Sequence, residues 1–466
     1  MNIVNDIHSE LNETIVKEIV RIESTASIQE AIRLAARETV PVAIAGGRHS
    51  MGGQQFCGGG LLLDTRGLDA VVSFDRERGT IEVQAGIQWP KLIQYLRETQ
   101  VGDPEPWGIA QKQTGADRLS IGGALAANAH GRGLTMRPFV SDVESVELVD
   151  ASAELLHCSR EENRELFGLV AGGYGLFGCV ATATIRLVPR RILERVVEVR
   201  TIDELMPRLD GRIEDGFLYG DFQFSTDPSA DDFLRRGVFS CYRPVVHDGP
   251  LPAGQRALSR DDWTRLIALA HTDKPKAFDL YAEHYLATTG QLYDSDLHQL
   301  ADYEDGYHRG LDERLGVPHR ATEMISELYV PRDRLADFMA DVGDDFRRHG
   351  VDVIYGTIRL IERDDDSFLA WAREPWACVI FNIHTVHTPE GLEHSAAAFR
   401  RLIDLAAERG GSYYLTYHRW ATLEQVERSY PRFRRFLDLK HRYDPEERFQ
   451  SDWYRHQRTL FEAGQS

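Results

Sequence analysis

A glycine-rich loop after a short apolar strand carries the residues of this chain best suited to ligand chemistry. Residues 42–45, Val-Ala-Ile-Ala, are followed by eight residues that include four glycines and one histidine, His49. Glycines let the backbone adopt positive φ and bring bare N–H groups close to a ligand. Such groups suit phosphate oxygens. The loop therefore predicts a phosphate-bearing ligand within reach of the His49 imidazole.

A second segment, residues 114–133, has the same character. Ser120 and a pair of glycines lead into a run of small residues, 124–129, which predicts a short helix packed close to a ligand. The N-terminus of such a helix directs amide groups at negative charge. His130 places another imidazole just beyond it.

A third segment, residues 171–180, contains four glycines before a β-type run at 180–187. A Walker loop is excluded because no Gly-Lys-Ser/Thr follows the first segment. The nicotinamide fingerprint is excluded because short strands, rather than a long helix, follow it. Three such segments between residues 41 and 180 indicate a long dinucleotide lying across several loops, and we interpret the site as one for a flavin nucleotide.

The order of these segments resembles the FAD-binding domain of the vanillyl-alcohol oxidase and p-cresol methylhydroxylase flavoproteins. The motifs are most similar to those of alditol oxidases and sugar-1,4-lactone oxidases, in which a Gly-x-Arg-His-Ser histidine is joined to the flavin 8α-methyl. Residues 47–50, Gly-Arg-His-Ser, match that motif. Residues 120–123 and 129–133 match the family's second block, and 172–180 match the segment at the adenine end. The resemblance covers residues 1–190 strongly and the remainder loosely.

The resemblance implies FAD as the cofactor, attached covalently through His49. The residues it assigns to FAD binding are Gly46, Gly47, Arg48, His49, Ser50, Met51, Gly115, Ser120, Gly122, Gly123, Asn128, His130, Gly131, Gly175, Gly178 and Val180.

Catalytic candidates come from two strands that resemble family strands. Glu327 begins a segment similar to the family's Ser-Glu-Tyr-x-Val-Pro strand, and Arg359 keeps the arginine of its Glu-Ile-Arg strand, where Thr357 replaces the glutamate. Facing the flavin, Arg359 could bind a polyol, lactone or carboxylate oxygen. The alternative is a solvated strand face with an ion pair to Asp365 or Asp366. Glu327 is either a base or a structural partner.

His418 is the third catalytic candidate. It lies in a segment that resembles the family's C-terminal His-Trp-x-Lys run but lacks the lysine. An imidazole titrates near neutrality and suits acid or base work, whereas the alternative is a packed histidine. His384 and His387 have no carboxylate or cysteine beside them in the sequence, so no metal site is expected.

Composition bounds the class of protein. A chain of 466 residues suggests more than one domain. The formal charge of −19, from 54 basic and 73 acidic side chains, argues against nucleic acid and anionic membranes as partners. The chain lacks a long apolar stretch and a secretory pattern at its start, and its five cysteines are scattered without metal-like spacing. We therefore expect reduced thiols and a cytoplasmic protein.

The predicted architecture is α+β. An FAD-binding domain of the p-cresol methylhydroxylase type, built of two subdomains, is expected over 1–190. An α+β substrate or cap domain with an antiparallel sheet follows over 191–420, and 421–466 returns to the first domain. Within these three segments, the hydrophobic pattern predicts strands at 14–22, 42–45, 61–64, 217–224, 324–330, 351–360 and 379–385. It predicts hairpins at 71–85 and 143–158. It predicts helices at 27–38 (capped by Ser27), 89–99, 161–170, 335–348, 395–408 and 431–440.

These features predict an FAD-dependent oxidoreductase that oxidises a CH–OH group of a polyol, sugar or lactone-like substrate by hydride transfer to flavin N5. Oxygen or another acceptor would reoxidise the flavin. The alternative is a non-covalent FAD dehydrogenase or reductase that acts on a bulkier sugar or hydroxy acid with a non-oxygen acceptor. A third hypothesis is a protein that uses this fold as a binding module and has no enzymatic activity. The substrate, the choice between oxidase and dehydrogenase, and the oligomeric state stay open.

Overall fold

The computed structural model describes residues 2–247, 249–301 and 306–464. Met1, the first residue of the segment predicted over 1–190, and residues 465–466, the last of the segment predicted over 421–466, lie outside the described residues. The strands are β1 (Asn2–Val4), β2 (Thr14–Val16), β3 (Glu18–Arg21), β4 (Val42–Ala45), β5 (Leu61–Asp64), β6 (Val71–Asp75), β7 (Thr80–Gln84), β8 (Trp107–Gly108), β9 (Val143–Val149), β10 (Leu155–Ser159), β11 (Cys179–Arg186), β12 (Val188–Pro189), β13 (Ile192–Thr201), β14 (Tyr219–Phe224), β15 (Arg236–Val245), β16 (Leu292–Asp294), β17 (Ala321–Pro331), β18 (Val353–Ile361), β19 (Trp376–Val386) and β20 (Ser412–Tyr413).

The helices lie between these strands or after them in the chain. They are α1 (Thr25–Glu38), α2 (Trp89–Thr99), α3 (Ile121–Ala127), α4 (Arg164–Val170), α5 (Ile202–Glu214), α6 (Arg260–Thr272), α7 (Lys274–Leu286), α8 (Tyr307–Leu315), α9 (Leu335–His349), α10 (Pro389–Glu408), α11 (Leu423–Ser429), α12 (Phe433–Tyr443) and α13 (Asp452–Ala463).

Two sheets of different kinds carry the glycine-rich loops. β3, β5 and β4 form a parallel sheet, and all four residues of β5 are buried, as expected for a central parallel strand. Strands β10, β9, β11, β7 and β6 form an antiparallel sheet in that order. The first glycine-rich loop leaves the end of β4, and the third leads into β11. Both loops are therefore positioned by strand ends.

The second half of the chain builds a large antiparallel sheet, in the order β16-β13-β15-β14-β18-β19-β17-β20 over the described residues. Phe381 of β19 packs against Phe346 of α9 with ring centroids 5.3 Å apart, so α9 covers one face of this sheet. Side chains alternate between faces along a strand, so Ile380 and Asn382 point to the opposite face. That opposite face borders the cavity described below.

The C-terminal segment returns to the N-terminal half. The Val42 N–H donates to the Arg448 carbonyl at 2.7 Å, and the Gln450 N–H donates to the Val42 carbonyl at 2.9 Å. Phe449 between them is fully buried in the same cluster as Val42. These hydrogen bonds pair residues 448–450 with the free edge of strand β4.

The α+β class and the antiparallel sheet are confirmed, while several local predictions need correction. The strand expected at 14–22 is two short strands, β2 and β3. Helix α1 starts earlier than expected, because Ser24 rather than Ser27 is the N-cap; Ser27 is its reciprocal partner in a capping box. The long strands β13 and β15 and the helices α6 and α7 were missed. Ile192–Thr201 is mostly half-buried and interspersed with charges, so its pattern is weak.

Candidate active site

The first two glycine-rich loops touch at positions where only glycine fits. A Cβ atom on Gly46 would fall inside contact distance of the Ser120 Oγ, and one on Gly47 would collide with the Arg118 carbonyl oxygen. Ser120 is the N-cap of α3, and its side chain accepts from the Gly123 N–H at 3.2 Å. Close backbone approach, rather than a turn alone, therefore explains the glycines.

The loops surround a cavity of about 1560 Å³ that extends onto the exposed face of the large sheet. Ligand pockets usually measure roughly 300–1,000 Å³, so this cavity has room for a dinucleotide and a substrate together. Most residues assigned to FAD binding line it: Gly46, Gly47, Arg48, His49, Ser50, Gly115, Ser120, Gly122, Gly123, His130, Gly175, Gly178 and Val180.

The three other assigned residues do not line the cavity. Met51 is a buried core residue, and the Gly131 N–H donates to Gln111 Oε1. Asn128 is fully buried and donates to Asp364 Oδ2 at 2.8 Å. A role for these residues in FAD binding would be indirect, through the shape of the second loop.

Buried polar atoms without hydrogen-bond partners are concentrated in this cavity. Such atoms are rare in folded proteins unless water or a ligand satisfies them. Those on cavity-lining residues are Arg48 Nε, His49 Nε2, Gln55 Oε1, Thr114 Oγ1, Arg132 Nε, Gln223 Oε1, Tyr281 Oη, His298 Nε2, Thr357 Oγ1 and Arg359 Nε. Glycine-lined loops at one end and unpartnered donors and acceptors along the cavity fit a long polar cofactor such as FAD.

His49 is held as a neutral imidazole inside the cavity. Its Nδ1 lies 2.9 Å from His8 Nε2, so one of these nitrogens donates to the other. Burial, followed by the nearby His8 ring, lowers the pKa of His49 to about 3, although the Arg118 backbone carbonyl partly offsets the shift. A neutral ring retains a nitrogen lone pair at physiological pH. His49 can therefore act as a nucleophile.

Register places the sheet side chains of the cavity in rows. Glu327 of β17 lies opposite Ile380 of β19, which lies opposite Thr357 of β18. Arg359 lies two residues further along β18, on the same face as Thr357. The row thus presents a carboxylate at one side and a hydroxyl and guanidinium at the other.

The Glu327 carboxylate is the centre of a buried network. His130 Nε2 lies 2.7 Å from its Oε1, Tyr417 donates to Oε2 at 3.2 Å, and Tyr329 and the Cys378 thiol also donate to it. Burial alone would raise the pKa of Glu327, but the His130 charge and these hydrogen bonds outweigh it and lower the pKa. The carboxylate is therefore kept ionised and engaged.

Both ring nitrogens of His130 face oxygen acceptors. Nδ1 lies 3.0 Å from the Gly131 carbonyl oxygen, and Nε2 faces the Glu327 carboxylate. His130 and Glu327 thus form a buried hydrogen-bonded pair at the wall of the cavity.

Arg359 also brings positive charge to the cavity, with 8% of its surface exposed. The solvated-face alternative does not hold, because Asp365 pairs with Arg137 and Arg363, and Asp366 pairs with Arg160. The Arg359 Nε and the Thr357 hydroxyl are both buried without partners and can bind substrate oxygens.

His418 lies outside the cavity lining, which corrects the catalytic role predicted for it. Its ring packs against Phe399, Tyr413 and Trp420, and its Nδ1 accepts from the Trp420 N–H at 3.2 Å. Burial lowers its pKa to about 3. The structure therefore favours the alternative given for His418, a packed histidine in the protein interior.

Two polar residues at the cavity were not identified from the sequence. His8 precedes β2 and reaches His49 from outside every glycine-rich segment, and no local signal marks it. Arg132 lies in the second block, and its NH2 group donates to the His298 carbonyl at 2.6 Å. Its position in the Gly-Arg-Gly sequence of residues 131–133 could have indicated a role at the cavity.

Among the described residues, no helix combines the length and apolarity that a bilayer crossing requires.

Comparisons with known proteins agree with this site. The family described as "FAD binding domain" matches residues 16–159. The chain is 25% identical over 437 residues to L-gulono-1,4-lactone dehydrogenase of Mycobacterium tuberculosis, covering 94% of this chain and 95% of that protein. It is 20% identical over 426 residues to L-gulonolactone oxidase of Mus musculus, covering 91% and 90%. It is 24% identical over 475 residues to cytokinin dehydrogenase 7 of Oryza sativa, covering 90% and 83%.

The cavity loops, the family match and the full-length similarity to these relatives agree with one another. The chain is an FAD-dependent oxidoreductase that carries an FAD binding domain over residues 16–159 and is similar over nearly its whole length to sugar-lactone dehydrogenases and oxidases.

Proposed function

We propose that this protein oxidises a CH–OH group of a polyol, sugar or lactone-like substrate, with FAD attached covalently through His49. The observation that carries the proposal is the state of His49. Its ring is buried in the cavity and neutral, its Nδ1 is 2.9 Å from a second histidine, and its Nε2 makes no regular hydrogen bond although the Arg118 backbone carbonyl lies close by. From this position Nε2 could bond to the flavin 8α-methyl carbon, which would lose a C–H proton, while His8 would accept the proton on Nδ1. The electron pair of the broken C–H bond would pass to the flavin and leave with the acceptor that reoxidises it.

FAD, when bound, supplies the acceptor for the hydride that leaves the substrate carbon. The chain would hold it with the three glycine-rich loops, whose residues line one end of the cavity. The Arg359 guanidinium supplies positive charge at the cavity wall, and the His130 ring lies there beside the Glu327 carboxylate. Fixed charge of this kind stabilises negative charge that develops during a reaction.

Arg359 and Thr357 are proposed to bind substrate oxygens. Both present unpartnered polar atoms to the cavity from one face of β18. A lactone carbonyl or a sugar hydroxyl can accept from the guanidinium, and the threonine hydroxyl can donate or accept. Together they would orient the carbinol carbon.

Glu327 is proposed to act mainly through His130. Its lowered pKa makes it a weak proton acceptor, and its oxygens already accept several hydrogen bonds. We therefore assign to it the orientation of the His130 ring. Its predicted role as the base for the hydroxyl proton is the less favoured assignment.

The alternative is a dehydrogenase with non-covalent FAD, a bulkier sugar or hydroxy acid as substrate, and an acceptor other than oxygen. One observation favours a bulky substrate. Beyond Arg132 the cavity continues between aromatic side chains, Tyr281, Tyr285 and Tyr293, and the inner sides of α6 and α7. This space exceeds what a small lactone needs.

Anaerobic mixing of the purified protein with L-gulono-1,4-lactone, other aldonolactones, alditols and aldoses tests the proposal. Bleaching of the flavin absorbance by members of this panel is the expected result. Oxygen uptake and dye reduction then separate an oxidase from a dehydrogenase. Failure of every compound to reduce a flavin that dithionite does reduce would contradict the proposed substrate class.

A further inference from the structure

Three metal-ligating side chains meet at the edge of the cavity, away from the Glu327 network. Glu323 lies four residues before Glu327 on β17, and the register places His384 of β19 directly opposite it. His271, near the end of α6, reaches the same carboxylate from above the sheet. Four residues of a strand span about 13 Å, so this cluster is separate from the Glu327 network.

The distances in the cluster match those between ligands of one metal ion. His271 Nε2 lies 3.3 Å and His384 Nδ1 lies 3.5 Å from Glu323 Oε1, and all three atoms lie within 4.8 Å of one another. Nitrogen and oxygen ligands bind zinc at about 2.0–2.2 Å, and tetrahedral geometry then separates them by roughly 3.3–3.5 Å. The side chains already have this spacing.

His271 is buried against the Glu323 carboxylate. Its side chain is 5% exposed, and its Nε2 lies 3.3 Å from Glu323 Oε1 in an ion-pair contact without regular hydrogen-bond geometry. The Tyr307 hydroxyl donates to Glu323 Oε2 and thereby orients the carboxylate. Outer hydrogen bonds of this kind commonly orient the ligands of a metal.

The surroundings of the cluster favour a cation. The Glu323 carboxylate and, more weakly, those of Asp352 and Asp312 act electrostatically on His384. The field at His384 is therefore negative. A divalent ion at this point would displace any proton from the imidazole.

We propose that His271, Glu323 and His384 bind a divalent transition-metal ion, zinc or a metal of similar ligand preference, at the edge of the substrate cavity. Glu323 and Tyr307 both line the cavity, so the coordination positions left open face it. Those positions would take water or an oxygen atom of a bound molecule. This site does not depend on the proposed flavin chemistry.

The sequence could not identify this set, since each ligand comes from a different element. His384 lacks a carboxylate beside it along the chain, which is why no metal site was expected. The carboxylate is supplied across the sheet by β17 and the second histidine by α6.

Cobalt(II) provides the test, because its visible absorption reports both binding and coordination geometry. The FAD-loaded protein would be stripped with a chelator, returned to buffer and titrated with Co(II) alone. We expect about one equivalent bound with the spectrum of a four- or five-coordinate site. Either His271→Ala or Glu323→Gln should weaken binding at least tenfold. His157→Ala is the matched control, because His157 also pairs with a glutamate, Glu147, but belongs to neither candidate ligand group among the described residues.

A second measurement on the unaltered protein guards against variants that fail to fold. Zinc alone should protect His384, whose side chain is 22% exposed, from modification by diethyl pyrocarbonate and leave His157 reactive. The proposal is overturned if Co(II) binds equally to the wild-type protein and to both folded variants, or if it does not bind the wild-type protein at all. Equal modification of His384 with and without zinc would also overturn it.

Discussion

His130 Nε2 and Glu327 Oε1 lie 2.7 Å apart and join the second glycine-rich loop to strand β17 of the large sheet. The bond connects the part of the chain that would hold the cofactor with the part that would hold the substrate. Both side chains are buried, so the contact also helps to fix how the two parts meet.

Arg359→Ala should slow reduction of the bound flavin without loss of FAD. Removal of a buried charge that binds substrate or stabilises developing charge costs about 10²–10³-fold in rate. Stopped-flow absorbance under anaerobic conditions measures the effect. Arg363→Ala is the control, because Arg363 pairs with Asp365 and is largely exposed. An unchanged rate of flavin reduction would remove Arg359 from the site.

Gly46→Ala should lower the FAD content of the purified protein. The added Cβ would meet the Ser120 Oγ and force the first two loops apart. Gly211→Ala in α5 is the matched control, since nothing lies within 4 Å of a Cβ at that position; it should stabilise the fold by up to about 1 kcal/mol. Equal flavin-to-protein ratios in the two variants would show that the loops need not touch.

His418 should make the protein less stable in mild acid. Its pKa is about 3 in the fold against the ordinary 6.5, so below pH 6.5 the unfolded chain binds a proton that the folded chain does not. Stability from this group is therefore lost as pH falls from 6.5 towards 3, by about 2 kcal/mol at pH 5.

The measurement is the change in the free energy of unfolding between pH 7 and pH 5, taken from denaturant titrations. In His418→Phe this change should be smaller by that amount. Tyr413→Phe, in the same aromatic cluster, should leave it at the wild-type value. A wild-type pH slope in His418→Phe would mean that the ring is not held neutral.

His8→Ala should retain FAD but slow its covalent attachment. His8 is the partner of His49 Nδ1 and the group placed to accept a proton there. The fraction of flavin that stays with the acid-denatured chain, followed over time after adding FAD to apoprotein, gives the rate. Attachment at the wild-type rate would assign the proton to another acceptor.

Local patterns predicted the strands and loops that carry FAD chemistry, because glycine at a strand end leaves a clear signal. The sequence predicted β4, β5 and α2 with the bounds that the structure has. It placed Arg359 and Thr357 on one face of β18 by alternation, and left open whether that face meets the cavity or solvent. These are all short-range inferences.

Long-range relationships were beyond reach of the sequence. His8 meets His49, and Glu323 meets His384, only because the chain folds back over many residues. His418 was misassigned because its family motif suggested chemistry, whereas three aromatic neighbours enclose it. Burial by distant residues decides such cases.

Acid precipitation of the purified protein, followed by intact-mass measurement of the washed pellet, tests the central claim most directly. The account predicts that the wild-type chain carries the added mass of one FAD and that His49→Ala, tested beside it, carries none while it still binds FAD before denaturation. A wild-type pellet without flavin, or a His49→Ala chain that keeps it, would contradict covalent attachment through His49.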